Sequence, residues 1–306
     1  MQYFRKSQPS FKIFQTLHNP FSTSKPAHLN HIFIPAKNPS IEPFNLVVLH
    51  GLLGSAPNFR SIVKNPKITS LANSYLLDLR NHGSSEHRDT MSSIEMAEDV
   101  YSFIQNNNIS SNLVIMGHSM GAQVLMAFST QYPEILKAAI VVDFAPHDYK
   151  NDPRFSAKQE NEELLRKLVK IDLSQDYKVV SEQVKAAAGN KTVGEFIMTN
   201  LKRDENGKYI WKSNLPAILQ NYQILAGPPE SKNEKFTGPL KVIFGEHSTY
   251  YAEDLIPKFT SVFPKFNKEK DLAIIKGANH WVHFSKPIEF VEVVSNFLKE
   301  VAGVSN

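Results

Sequence analysis

Short apolar runs alternate with amphipathic stretches along most of this chain. Residues 46–50 (LVVLH) form a continuous apolar run ending in His50-Gly51, which predicts a buried strand. Residues 74–79 (SYLLDL) predict a second strand, followed by the polar loop RNHGSS. Ile94, Ala97, Val100, Tyr101 and Ile104 fall at helical spacing behind acidic first turns, the pattern of an amphipathic helix. A strand at 113–116 (LVIM), a helix at 122–132 stopped by Pro133 and a strand at 138–142 (AAIVV) follow. Strands at 240–244 (LKVIF) and 272–275 (LAII) and a helix at 288–301 close the chain. Apolar strands alternating with helices predict an α/β fold, a mostly parallel sheet covered on both faces.

The pattern breaks at two places. Between 150 and 238 no strand pattern is visible, and the charged stretches 160–171 and 176–188 predict helices. Inserted between two core strands, this segment is expected to be a helical cap, with the core formed by 29–149 and 239–306; an ordinary helical subdomain away from any ligand fits the sequence equally well. Residues 1–28 precede the first core segment. There, Phe4, Phe11, Phe14, Leu17 and Phe21 gather on one side of a helical projection, with Arg5 and Lys12 opposite. Residues 1–25 contain Arg5, Lys6, Lys12 and Lys25 and no acid, the composition of a mitochondrial targeting segment; a basic tail is the alternative.

Charge then changes the picture. The chain of 306 residues has 34 basic and 30 acidic side chains, a formal charge of +4. Removing the four leader cations leaves 30 of each, so the core is neutral and carries no basic stripe for nucleic acid. No apolar run is long enough to predict a membrane span. The absence of Cys excludes disulfides, Cys-ligated metal sites and a cysteine nucleophile, and the His spacing suggests no metal ligand set.

Gly117-His118-Ser119-Met120-Gly121 lies between an expected strand and an expected helix. A G-x-S-x-G turn in that context lifts a Ser hydroxyl clear of the sheet and brings helix N-terminal amides near it, so Ser119 is the candidate nucleophile. A Ser hydroxyl needs a base at neutral pH. His280, in Gly277-Ala278-Asn279-His280-Trp281 after the last strand, is the preferred candidate, with His283 its nearest competitor. An acid must orient that base. The loop after 240–244 reads Glu246-His247-Ser248, with Ser248 where an Asp is expected in most chains of this design. Asp143 ends the strand 138–142 instead, where an unpartnered carboxylate would be costly, and it is favoured over Glu246. The backbone amides of Leu52, in His50-Gly51-Leu52-Leu53-Gly54, and of Met120 are the expected oxyanion donors.

The HGLLG loop, the segment Asp78-Leu79-Arg80-Asn81-His82-Gly83-Ser84-Ser85, the GHSMG turn and the GANH loop together resemble the α/β-hydrolase superfamily. The nearer resemblance is to a mitochondrial subgroup that includes small serine esterases and the yeast ethanol acetyltransferases. It implies an α/β-hydrolase fold with the cap inserted after the family's strand six, and an acid about two dozen residues past the Ser, where Asp143 stands. It also implies transfer of an acetyl group from acetyl-CoA to ethanol, with esterase and thioesterase side activities, in a mitochondrial protein that takes small-molecule substrates and no cofactor. A carboxylesterase or thioesterase without transferase activity is the alternative, and a non-catalytic ligand-binding protein a remote one. Ser at 119 excludes the relatives that attack through an Asp.

Overall fold

Among the described residues the chain forms nine strands: β1 (His31–Ile34), β2 (Phe44–Leu49), β3 (Ala72–Leu77), β4 (Leu113–His118), β5 (Leu136–Val142), β6 (Leu201–Arg203), β7 (Tyr209–Trp211), β8 (Leu240–Gly245) and β9 (Leu272–Ile275). The structure is a computed structural model that describes residues 25–39, 41–155, 157–230 and 234–304. Of the expected targeting segment, 1–28, residues 1–24 lie outside them.

Seven strands form one sheet in the order β1-β3-β2-β4-β5-β8-β9, with β6 and β7 paired separately. All neighbours in the large sheet are parallel except β1, which pairs antiparallel with β3. Parallel strands must be buried on both faces, which is why their sequences are continuous apolar runs. Val47, Leu49, Ile115 and Val141 face one layer, where Val100, Ile104, Val124 and Phe128 cover them. Val48, Met116 and Ile140 face the other, under Ile62, Ile68, Phe290, Val294 and Phe297. The alternation within each strand is the side-chain period of two.

Connections place the site. The chain leaves β2 to form β3 on one side and returns through the helix Ser93–Asn106 to form β4 on the other. This is a topological switch point, and loops leaving the carboxyl ends of β2 and β4 open a crevice there. The helix itself starts on a capping box, with the Ser92 hydroxyl accepting from the Glu95 amide and Glu95 reaching back to the Ser92 amide.

Between β5 and β8 the chain departs from the sheet. The expected helices are present as Ala157–Leu168 and Tyr177–Ala188, joined by Lys191–Met198 and Leu215–Gln220. One feature differs from the sequence expectation. The segment also contains the β6–β7 hairpin, whose strands of three residues around an Asp204–Gly207 turn are too short to give an alternation signal. β5, the strand before the insertion, is the fifth in chain order here. No described helix is long and apolar enough to cross a membrane.

Candidate active site

β4 runs on to His118, two residues past the predicted strand end, and the next helix, Met120–Gln131, begins at once. Ser119 is the whole turn. Its backbone stands at φ 53° and ψ −115°, a conformation that side chains other than glycine rarely adopt. Its amide is held by the Val142 carbonyl at 2.9 Å. The two motif glycines are required by contact: a Cβ on Gly117 would lie 2.2 Å from the Gly121 carbonyl oxygen, and one on Gly121 would lie 2.4 Å from that of Leu49. The elbow can be this tight only because both side chains are missing.

The Ser119 hydroxyl lies 3.1 Å from Nε2 of His280, whose Nδ1 lies 2.6 Å from Oδ2 of Asp143. A carboxylate accepts, so Nδ1 carries the proton and Nε2 is left to accept from Ser119. Asp143 is fully buried, itself at φ 56°, and its other oxygen accepts the Gly245 amide at 2.8 Å. Ser248 donates its hydroxyl to the same Oδ2 that receives His280. The residue that stands where an Asp was expected thus serves the carboxylate on the neighbouring strand. Glu246 is elsewhere: it accepts the Gly277 amide at 2.8 Å, bracing the loop that carries His280. Tyr250, which no sequence signal indicated, packs against the His280 ring at 4.4 Å between centroids, with the two planes tilted by 31°.

The HGLLG loop leaves β2 and folds back as a turn closed by the Gly54 amide on the Gly51 carbonyl at 2.9 Å. His50 donates from Nδ1 to the same carbonyl at 2.8 Å and accepts the Leu79 amide on Nε2 at 3.0 Å. A trans peptide is planar, so pinning the Gly51 carbonyl directs the Leu52 N–H the opposite way. Leu52, Gly51 and Ser119 all line the same cavity. Among the described residues, neither the Leu52 nor the Met120 amide donates to another protein group, which leaves both free for an oxyanion.

A cluster of histidines packs behind the elbow. His118 donates from Nε2 to the His280 carbonyl at 2.9 Å, and burial first, then His280 and His283, hold it well below the usual imidazole range. His283, the rival base, stacks on Phe59 at 4.0 Å, and its Nδ1 has no hydrogen-bond partner among the described residues. Burial, aided by His280, pushes it down to about 3. His82 is likewise pushed down to about 3 by burial and by His50. Such histidines bind protons better in the unfolded chain, so stability present above about pH 6.5 is lost as the pH falls toward 3. Between pH 7 and 5 the loss is expected to be about 2 kcal/mol for each of His82 and His283. Urea melts at the two pH values measure it, and a midpoint that does not move would contradict the buried neutral assignment.

The cavity in front of Ser119 has a volume of about 560 Å³. The core supplies Leu52, Phe59 and Trp281, and the insertion supplies Leu164, Val193 and Phe196, so the inserted helices form one wall. Among the described residues, Glu160 and Glu195 are its only carboxylates and no Lys or Arg lines it. No group of three or more His, Asp or Glu side chains among the described residues could hold a metal ion.

A family of the alpha/beta hydrolase fold matches residues 45–287. Over 257 residues the chain is 33% identical to the sn-1-specific diacylglycerol lipase ABHD11 of Xenopus tropicalis, covering 83% of this chain and 77% of that one. It is 27% identical over 296 residues to ethanol acetyltransferase 1 of Kluyveromyces lactis, covering 89% and 77%. Among solved structures, a marine microorganism esterase superposes with a TM-score of 0.79 at 31% identity, covering 89% of this chain and 99% of that one. With an elbow serine at the switch point of a mostly parallel sheet and this likeness along most of its length, the chain belongs to the α/β-hydrolase family.

Proposed function

We propose that this protein is a serine esterase of the lipase type that forms an acyl-enzyme on Ser119. The observation that carries the reading is the hydrogen-bonded row from Ser119 through His280 to Asp143. As His280 Nε2 takes the hydroxyl proton, Oγ attacks the ester carbonyl, and Asp143 stabilises the imidazolium that results. The carbonyl oxygen becomes an oxyanion facing the Leu52 and Met120 amides. Collapse breaks the ester bond, the leaving alkoxide takes the proton from Nε2, and the acyl group stays on Oγ. Water then attacks the acyl-enzyme, with His280 taking its proton and returning it to Ser119. An apolar cavity whose charged lining is acidic favours a neutral acyl ester over a donor that must bury phosphates.

A second reading is supported by the likeness to ethanol acetyltransferase 1. Ethanol in place of water would resolve an acetyl-enzyme to ethyl acetate, with acetyl-CoA as donor, its thioester arm in the cavity and its phosphates outside. Mitochondrial residence, suggested by the acid-free leader, belongs to the same proposal and is tested by following a carboxyl-terminal fluorescent fusion in cells.

The deciding experiment supplies purified protein with a diacylglycerol, with p-nitrophenyl acetate and with acetyl-CoA, each with and without ethanol, and follows fatty acid, p-nitrophenol, CoA and ethyl acetate. Ester hydrolysis exceeding CoA release is expected. Ethyl acetate formed from acetyl-CoA faster than any ester is hydrolysed would replace the first reading by the second. No turnover of any of the three would leave a ligand-binding protein.

A further inference from the structure

The HGLLG loop carries a strained residue whose restraint comes partly from the insertion. The turn Gly51–Gly54 has Leu53 at its third position with φ 56°, while Leu52 keeps a negative φ. That combination is a type II turn, whose third position favours glycine, and a buried leucine there must be held. Two buried side chains hold it from opposite sides. His82, on the loop after β3, accepts the Leu53 amide at 3.1 Å, with its own Nδ1–H donated to the Arg80 carbonyl at 2.9 Å. Asn200 donates from Nδ2 to the Leu53 carbonyl at 2.7 Å, and its Oδ1 accepts the Ser213 hydroxyl at 2.7 Å. A carbonyl only accepts, so the amide nitrogen must face Leu53.

Asn200 is not part of the core. It follows the helix Lys191–Met198, whose Val193 and Phe196 form part of the cavity wall, and precedes β6. The neighbouring Asn214 docks the same segment on the core, its amide donating to the Asn81 carbonyl at 2.9 Å.

We infer that Asn200 is a positioning residue by which the inserted segment holds the oxyanion turn in its working shape. Without it, Leu53 relaxes toward a negative φ, the Gly54 amide leaves the Gly51 carbonyl, and the Leu52 N–H loses the direction that this closure helps to set. The inserted wall then acts on the transition state as well as on the shape of the cavity. This inference rests on the acyl-enzyme reading above and on Leu52 as an oxyanion donor.

The test compares wild type with Asn200→Ala and with Asn200→Asp, which keeps the size and the Ser213 hydrogen bond but turns an acceptor toward the Leu53 carbonyl. Four quantities are read on folded protein of verified melting temperature: kcat and KM for p-nitrophenyl acetate, the inhibition constant of an alkyl trifluoromethyl ketone, and that of the matching secondary alcohol. The ketone adds to Ser119 and develops an oxyanion; the alcohol fills the cavity without one. Expected in both variants is a fall in kcat and in ketone affinity on the order of 10- to 100-fold, with KM and alcohol affinity nearly unchanged. Ketone and alcohol affinities falling together would make Asn200 a merely structural residue, and unchanged ketone affinity in Asn200→Asp would overturn the inference outright. Wild-type protein that neither hydrolyses the ester nor takes up the ketone would instead refute the acyl-enzyme reading itself.

Discussion

Replacing Ser119 by alanine is expected to lower p-nitrophenyl acetate turnover by about 10⁶ while leaving the melting temperature almost unchanged. The size of the loss follows from the chemistry: without Oγ there is no atom to carry the acyl group, and His280 has no proton to move. The small effect on stability follows from the backbone. Ser119 stands at φ 53°, and alanine there meets the same restriction as serine, while the Val142 carbonyl still receives the residue's amide. The residual rate should come from binding and from the Leu52 and Met120 amides, which the substitution does not touch. Intact-mass spectra after rapid quenching provide the second measurement, since the acyl adduct seen on wild type should vanish. A Ser119→Ala protein that keeps most of its activity, or still acquires an acyl adduct, would move the nucleophile elsewhere.

Asp143→Asn should cost about 10⁴ in turnover, and Glu246→Gln only a few-fold. The asparagine can keep an acceptor toward the Gly245 amide, and it then presents an NH2 group where Oδ2 meets His280 Nδ1 and the Ser248 hydroxyl. His280 must turn its proton to Nε2 to accept that donor, and Nε2 can then no longer receive the proton of Ser119. The loss is therefore one of tautomer, and substrate affinity should change little. The Glu246 carboxylate accepts the Gly277 amide and lies 3.8 Å from the exposed His247 Nε2, so its neutral isostere weakens the support of a loop and leaves the row of Ser119, His280 and Asp143 untouched. Steady-state kinetics on both variants separates the two carboxylates. Should Glu246→Gln show the larger loss, Asp143 would be a structural acid.

Much of this architecture was legible because its signals are local. A buried parallel strand is a short apolar run, and an amphipathic helix repeats along its own length, so the strands 46–50, 113–116 and 138–142 and the helix 288–301 are visible without knowing their neighbours. The elbow is local too: five consecutive residues contain the nucleophile and both glycines that the turn demands. The extent of β4 was not legible in the same way. Gly117 and His118 look like loop residues, and they are in the strand because Gly117 pairs with Leu49 of β2 and Val141 of β5, and His118 with Val142 of β5. β1 escaped notice for a similar reason, being an edge strand whose pairing with β3 carries little alternation.

By itself, then, the sequence determined the class of fold, the candidate elbow serine, and a short set of candidates for its partners, each marked by a few consecutive residues around it. The choice among those candidates belongs to the tertiary structure. His280 rather than His283 meets Ser119, although the two are three residues apart, because the second is turned into the stack on Phe59. Ser248 becomes a donor to Asp143 because β5 and β8, about a hundred residues apart in the chain, lie side by side. Asn200 reaches the Leu53 carbonyl across 147 positions of sequence because the inserted segment folds back over the loop that leaves β2. Hydrogen bonds are short and directional, and which donor meets which acceptor is settled only when the order and register of the strands have brought distant residues within 3 Å.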